Sequence, residues 1–336
     1  MSPDAKDIRV LFLGPTGSGT HSSDTEQQSR AMKQLGAEFV VYEGGSEGEL
    51  IEALKDADVV ISQEHAFSPK LFNYMGKNGR CKGLVSFGHG YDNMDLNAAV
   101  ENGVILANTA SFGTEEVSNQ TMMHFLICSR KFVLHDKLVK NGVWTREHLA
   151  PMGHISGQIF GIIGLGDIGR SVARKALAFG MKVIAYDPFI SSWDAKEYDV
   201  EMVGTPQEIA KRSDYVSPHT SLTPKTHHMI NAAFFDLMKP TAYLVNTARG
   251  PLIDQVALTK ALQSNQIAGA ALDVLEEEPP AEDDPIFTLP NIICFSHSGT
   301  AIEETHRAMR EPAVQNLIAV ITGEKLPAPV NLEVLG

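Results

Sequence analysis

The sequence predicts an α/β protein of two doubly wound, parallel-sheet lobes joined by long helices, and three observations predict it. Short apolar runs alternate with helical-period segments from Arg9 onward. That alternation is interrupted once, between Glu115 and Gln158, and it resumes in a compact unit at Gln158–Pro188 that reads strand, glycine turn, helix, strand.

The first strand is expected at Arg9–Leu13 and runs into GPTGSGTHSS. That run nearly spells a phosphate-binding P-loop, but Thr20 stands where the motif needs a lysine, and the polar run after it shows no helical start. Without the cation a flexible glycine loop is the better reading. A helix at Ser29–Leu35 ends at Gly36, and strands follow at Glu38–Tyr42, Asp58–Ser62, Gly83–Phe87 and Ile105–Asn108. Helices are expected between them at Glu47–Lys55, Pro69–Met75 and Leu96–Asn102. Strand after helix after strand demands parallel pairing.

The pattern then changes. Glu115–Asp136 carries Val117, Met122, Phe125, Leu126 and Phe132 at helical spacing and reads as one unbroken helix between lobes. Its Met and aromatic stripe reads as core. Trp144–Gly157, with Pro151, Gly153 and Gly157, reads as a loop or arm. Beyond the glycine unit, strands are expected at Glu201–Val203, Tyr215–Val216, Ala242–Asn246, Gly269–Val274 and Ile292–Phe295, the last of them buried. Helices are expected at Pro206–Lys211, Ala232–Met238 and Gln255–Ser264. Ile302–Thr322 reads as a long amphipathic helix returning to the first lobe, followed by a short tail. The expected domains are 1–109 with 305–336, and 110–304, with chemistry on the floor of a cleft.

At 336 residues the chain is long enough for two cores. A net charge of −13 argues against nucleic acid or an anionic membrane as the main partner and favours small substrates. MSPDAKD carries no leader signal, and no apolar run reaches membrane-spanning length. Cys81, Cys128 and Cys294 are isolated, as expected of reduced thiols in the cytoplasm. The adjacent His227 and His228 cannot share one side of an extended strand, and no HExxH occurs, so no metal site is expected.

The glycine unit carries the first functional signal. Gly164 permits a tight turn, Gly166 lets backbone N–H groups approach a pyrophosphate, and Gly169 lets the following helix pack on the sheet, as in a Rossmann lobe. A lone glycine pattern also marks ordinary turns. Here a strand precedes it, a helix follows it, and Asp187 ends the next strand, so a dinucleotide is expected. A carboxylate at the ribose 2′-OH repels a 2′-phosphate, and no Arg or Lys directly follows Asp187, which favours NAD over NADP.

Three later residues each follow a strand: Arg249 in NTARG, Glu278 in LDVLEEEPP and His297 in CFSHSGT. An arginine there can hold a carboxylate through paired hydrogen bonds. A histidine can exchange the proton of a secondary alcohol, and a carboxylate can orient its ring. Each also has a bland reading as a surface ion pair, an acidic loop or a strand cap, and spacing alone leaves open which glutamate acts.

The segments FGHGYDNMDLNAAVENGVILANT, SDYVSPHTSLTPKTHHMIN, YLVNTARGPLIDQVALTKAL, GAALDVLEEEPP and SHSGT occur in this order around the glycine unit. Together they resemble the D-isomer-specific 2-hydroxyacid dehydrogenases along nearly the whole chain. The resemblance implies a flavodoxin-like substrate lobe and an NAD-binding Rossmann lobe. It implies Arg249, Glu278 and His297 as the catalytic set, with His297 the acid/base, Glu278 its support and Arg249 on the substrate carboxylate and carbonyl. The backbone amides of His89 and Gly90 are implied at that carboxylate. Cofactor contacts implied by the same resemblance are Gly164, Leu165, Gly166, Asp167, Ile168, Gly169, Asp187, His219, Thr220, Thr226, Thr247, Ala248, Arg249, Asp273, His297 and Gly299. Asp273 is implied toward the nicotinamide amide.

A homodimer built through the bridging helix and the 144–157 arm is also implied. Departures from the family pattern matter. EEVSNQT is similar to the C-terminal binding proteins, the NAD-binding corepressor branch, and this supports an alternative as an NAD-sensing binding protein with residual activity. Thr300 stands where that branch has tryptophan, and the intact Arg249, Glu278, His297 set favours the enzyme. Glu278, where formate dehydrogenases carry glutamine, argues against formate. The absence of a basic cluster beside the GHG loop argues against phosphorylated acids. His89 occupies a position more often small or aliphatic, and two readings stand for it: an exposed loop residue contributing only its N–H, or an imidazole entering the substrate pocket.

Overall fold

The computed structural model describes residues 8–14, 22–63, 65–109, 112–145 and 152–334, with nothing to add on the side chains of 22–24. These residues divide into two compact units, one drawn from 1–112 and 301–336 and the other from 113–300.

In the first unit the order is β1 (Arg9–Leu13), α1 (Ser22–Gln34), β2 (Glu38–Tyr42), α2 (Glu47–Lys55), β3 (Val59–Ser62), α3 (Pro69–Met75), β4 (Gly83–Ser86), α4 (Leu96–Glu101) and β5 (Ile105–Asn108). The five strands pair in the order β2-β1-β3-β4-β5, and every pairing is parallel. This is the flavodoxin-like order of a doubly wound sheet. Because helices cover both faces, the central strands are apolar runs rather than alternating ones: β3 and β4 are buried at every position. Phe12, Ile61, Val85 and Phe87 point to one core, and Leu11, Leu13, Val60 and Leu84 to the other. Helix α2 opens on a capping box, in which Ser46 Oγ accepts from the Glu49 amide and the Glu49 carboxylate accepts from the Ser46 amide.

The second unit contains α5 (Thr114–Ser129), α6 (Phe132–Lys140), β6 (Ile159–Ile163), α7 (Asp167–Ala178), β7 (Lys182–Tyr186), α8 (Ser192–Lys196), β8 (Glu201–Met202), α9 (Pro206–Arg212), β9 (Tyr215–Pro218), α10 (Ala232–Phe235), β10 (Tyr243–Asn246), α11 (Gln255–Gln263), β11 (Gly269–Leu272) and β12 (Ile292–Cys294). Its seven strands pair in the order β12-β11-β10-β9-β6-β7-β8, again all parallel. The sheet contains the Rossmann order, extended by β12 at one edge. One face buries Ile163, Val216, Phe234, Leu244, Leu258 and Leu272; the other buries Phe160, Ile162, Val172, Val183 and Val245 beneath Met122 and Phe125 of α5.

The last helix, α12 (Glu303–Thr322), returns to the first unit, where Met309, Ala313, Leu317 and Val320 join the core of Phe12 and Phe87. The tail after it is not idle. Asn331 Oδ1 accepts from the Leu106 amide at 2.7 Å and Asn331 Nδ2 donates to the Val104 carbonyl at 2.9 Å, which satisfies the edge of β5.

Several expectations are revised. Helix α1 begins at Ser22 rather than Ser29, and the polar run therefore does have a helical start. It was invisible because the fully buried residues of this helix include Gln28 beside Met32, so the apolar period is broken. Residues 15–21 of the glycine-rich loop lie outside the described residues. The bridging helix is not unbroken: Lys131 adopts φ 48, and a left-handed residue ends α5 and starts α6 on a new axis. Strand β12 is only partly buried because it lies at a sheet edge. Of the 144–157 arm, residues 146–151 lie outside the described residues, and Trp144 is 90% exposed.

Candidate active site

The carboxyl ends of β6, β7, β9, β10, β11 and β12 bring most of the predicted residues to one edge of the second unit's sheet. After β6, Gly164 takes φ +97, and a Cβ there would sit 2.8 Å from the His219 carbonyl carbon. Only glycine fits both demands. Gly169 lies on the first turn of α7, where a Cβ would meet the Gly164 carbonyl oxygen at 2.2 Å. Gly166 is different: a Cβ would touch nothing within 4 Å, so the space in front of the α7 N-terminus is open. Open space before a row of helix N–H groups suits a pyrophosphate.

Asp187, at the end of β7, is tied to this loop. Its Oδ2 accepts from the Leu165 amide and its Oδ1 from the Phe189 amide, both at 2.8 Å. Asp167 and Ile168 begin α7. The glycine turn, the free helix end and the acid therefore fit an adenine dinucleotide.

His219 follows β9, with its amide donating to the Ile163 carbonyl at 2.7 Å. Burial pushes its imidazole down to about 3, so it is neutral at physiological pH. Thr220 Oγ1 faces the Met229 sulfur at 4.0 Å. Thr226 Oγ1 accepts from the Thr223 amide and donates to the Ser221 carbonyl, both at 2.8 Å, so this hydroxyl builds the loop. Thr247, buried after β10, shares a 2.7 Å hydrogen bond with Thr121 of α5.

Arg249 is positioned by a residue that sequence reasoning missed. Asn246, fully buried at the end of β10, accepts from the Ala248 amide at 3.0 Å and donates to the Arg249 carbonyl at 2.8 Å. Its amide turns the chain so that Arg249 leaves the sheet edge. The only sequence signal was an asparagine within an apolar strand, YLVN.

Asp273, 2% exposed after β11, is the hub of the opposite side. Its Oδ1 accepts from the Ser298 amide at 3.0 Å and from Gln120 Nε2 at 3.3 Å, and its Oδ2 accepts from the Gly299 amide at 2.9 Å. The His297 amide donates to the Asp273 carbonyl at 2.7 Å. These contacts lock the turn that carries His297, which takes φ 53. Gln120 was missed because its contact spans 153 residues. His124, on the same helix, packs its ring 4.7 Å from Phe295, and burial, opposed in part by Asp273, pushes it down to about 4.

His297 Nδ1 lies 2.7 Å from Glu278 Oε2, and Glu278 Oε1 accepts from the Leu275 amide at 2.9 Å. Among the three consecutive glutamates, Glu278 is therefore the one that meets the histidine, while Glu276 pairs with His228. Burial pushes the Glu278 carboxyl up. The His297 hydrogen bond and charge, the Leu275 amide and the Arg249 charge outweigh it and hold the carboxyl below its ordinary range. The side chain of His297 is 49% exposed, so Nε2 can be reached by a small molecule. A histidine oriented by a carboxylate, with an arginine charge nearby, can move a proton to or from a bound oxygen.

These features match a known family model, the NAD-binding domain of D-isomer-specific 2-hydroxyacid dehydrogenases, over residues 122–299. The chain belongs to this family. The D-isomer-specific 2-hydroxyacid dehydrogenases are NAD-dependent oxidoreductases of 2-hydroxy and 2-oxo acids, and residues 122–299 form the NAD-binding domain. The chain is 37% identical to a glyoxylate reductase of Korarchaeum cryptofilum, over 85% of this chain and 86% of that one. It is also 37% identical to a D-3-phosphoglycerate dehydrogenase of Methanocaldococcus jannaschii, over 91% of this chain; the matched part is 58% of that longer relative. A solved D-lactate dehydrogenase of Aquifex aeolicus, complexed with NAD and lactic acid, superposes with a TM-score of 0.82 at 27% identity, over 97% of each chain.

His89 and Gly90 belong to the other unit, after β4. The reading of His89 as an exposed loop residue does not fit. It is half-buried, its Nε2 is out of solvent, and its ring stacks on Phe112 with centroids 4.6 Å apart. Its carbonyl accepts from Asn108 Nδ2 at 2.9 Å, and the Gly90 carbonyl accepts from Ser86 Oγ at 2.7 Å. The geometric premise against a metal at His227 and His228 also fails. The two residues lie in a turn rather than a strand, with His228 at φ 51, and their rings stack 3.9 Å apart.

Proposed function

We propose that this dehydrogenase interconverts a small D-2-hydroxy acid and its 2-oxo acid, with glyoxylate among the candidate substrates, using NAD in preference to NADP. The observation that carries the reading is the 2.7 Å contact of His297 Nδ1 with Glu278 Oε2, because it leaves Nε2 as the ring atom available to substrate. In oxidation His297 Nε2 takes the hydroxyl proton as hydride leaves C2; in reduction it returns the proton to the carbonyl oxygen. Arg249 grips the substrate carboxylate and polarises the carbonyl, and the backbone N–H groups of His89 and Gly90, in the substrate unit, are further candidate donors to a carboxylate. Positioning of this kind can lower a barrier by several kcal/mol, about 7 or more in favourable cases. Glu278 keeps the ring in one orientation and stabilises its charged form. When bound, NAD supplies the hydride acceptor or donor. Residues Gly164 to Gly169 and Asp187 would hold it, with the Asp187 carboxylate disfavouring a 2′-phosphate, while the 219–226 loop, Thr247, Ala248, Asp273 and Gly299 line its path.

The expected domains, 1–109 with 305–336 for substrate and 110–304 for NAD, are supported by the two compact units, whose bounds fall a few residues away at 112/113 and 300/301. A homodimer through α6 is supported by its apolar exposure, since Phe132, Val133, Leu134 and Val139 are each at least 40% exposed and none of its residues is buried. A second copy is the expected cover, and a monomer in light scattering would overturn it. The cytoplasm is the expected compartment, since the cysteines are unpaired. Among the described residues no helix is long and apolar enough to cross a membrane.

The test is NADH absorbance followed across a panel of 2-oxo acids. Turnover of at least one small member is expected. No turnover with any member would favour the NAD-sensing binding protein.

A further inference from the structure

The loop after β9 and the segment after β11 meet in a cluster that hydride transfer does not use. His228 Nε2 lies 2.6 Å from Glu276 Oε1, and the ring of His227 stacks on that of His228 at 27° between planes. One ligand atom from each of His227, His228 and Glu276 lies within 4.8 Å of the other two. We propose that these three side chains form a binding site for a divalent transition ion, with Zn2+ the best fit.

The argument begins with donor type. Two imidazoles and one carboxylate suit Zn2+, Ni2+ or Cu2+ and not Mg2+ or Ca2+, which take oxygen ligands. Geometry comes next. Tetrahedral ligands about 2.1 Å from a zinc ion lie about 3.4 Å apart. The donor atoms bracket that spacing: the His228–Glu276 contact at 2.6 Å must open and the wider pairs, all within 4.8 Å, must close, a change of the size that side-chain rotation supplies. With three protein donors a fourth position stays with water, and access exists because His228 and Glu276 keep 33% and 31% of their side-chain surface.

The supporting contacts are in place. Glu276 Oε2 accepts from the Gln255 amide at 3.0 Å, and Gln255 Oε1 accepts from the Glu276 amide at 3.0 Å, so the carboxylate is anchored at the start of α11. The His228 amide donates to the Pro251 carbonyl at 2.9 Å, and Asn231 Nδ2 donates to the His228 carbonyl at 3.1 Å. Held backbone on both sides lowers the cost of ordering the ligands. A bound ion therefore clamps the loop after β9 to the segment that carries Glu278, without touching His297.

The experiment is calorimetric titration of ZnCl2 into the chelator-treated, NADH-saturated full chain. One ion per chain is expected at this site. His227→Ala, His228→Asn and Glu276→Gln should each weaken binding at least tenfold. Asn tolerates the left-handed backbone at 228, and Gln keeps an acceptor for the Gln255 amide, so both should fold; thermal melts without metal check this. His297→Asn should leave the affinity unchanged, and Mg2+ should not compete. The proposal is overturned by the absence of saturable uptake, which would leave a plain His–Glu hydrogen bond. It is overturned equally by undiminished affinity in the three variants, or by loss confined to His297→Asn, which would move the ion to the His297–Glu278 pair.

Discussion

Glu278 Oε2 and His297 Nδ1 lie 2.7 Å apart, although 19 residues separate them in the chain. The carboxylate is held from its other oxygen by the Leu275 amide, and the histidine from its backbone by the Asp273 carbonyl. Both partners are thus fixed before any substrate arrives, which is the condition under which a general acid/base is effective.

Glu278→Gln removes the charge that stabilises protonated His297 and keeps an oxygen to accept its hydrogen bond. Reduction needs the charged ring, so kcat/KM for a 2-oxo acid at neutral pH should fall about tenfold or more, on the scale of general acid/base effects. NADH affinity should stay unchanged, because the loss lies in the proton step and not in cofactor binding. A kcat/KM equal to that of the parent would remove Glu278 from the proton path.

Arg249→Lys keeps one positive charge and loses the planar fork. Its expected effect is a loss in kcat/KM of about a hundredfold, since paired hydrogen bonds to a carboxylate cannot be copied by one ammonium. A kcat/KM equal to that of the parent would show that Arg249 acts only as a charge.

Glu115 opens α5 and reaches Ser171, Arg174 and Lys175 on α7. The hydrogen bonds from Lys175 and Ser171 lead in lowering its carboxyl, burial opposes them, and Arg174 and the Lys175 charge help hold it at about 2. A lowered carboxyl stabilises above the unfolded value near 4.5 and loses that contribution as pH falls toward 2. The side chain is 52% exposed, so screening reduces the effect to about 1 kcal/mol. Glu115→Gln should lower the urea midpoint at pH 7, and the difference should close as the pH approaches 2. A constant difference across that range would mean that charge is not the cause.

Local signals made much of the second unit readable. Gly164, Gly169 and Asp187 lie within one βαβ unit, and strand ends at Asn246, Leu272 and Cys294 flag the residues just beyond them. What escaped depends on distant partners. The choice among Glu276, Glu277 and Glu278 is made by where His228 and His297 come to lie. Asn246 and Gln120 look ordinary until their contacts with Arg249 and Asp273 are formed. The early start of α1 was hidden because a buried Gln28 occupies the place of an apolar residue. The break at Lys131 is a single left-handed residue in an otherwise helical pattern, which no periodicity reports. Strand alternation predicts opposite sides for His227 and His228, and a positive φ at His228 turns that rule over.

The central claim is that His297 carries the proton. His297 sits at φ 53, a conformation that asparagine accepts, so His297→Asn should fold and bind NADH as the parent does. Stopped-flow measurement of NADH oxidation by this variant, with the best 2-oxo acid of the panel, tests the claim most directly. The expected result is unchanged NADH affinity with a rate reduced about a thousandfold or more. A near-normal kcat with intact NADH binding would contradict it.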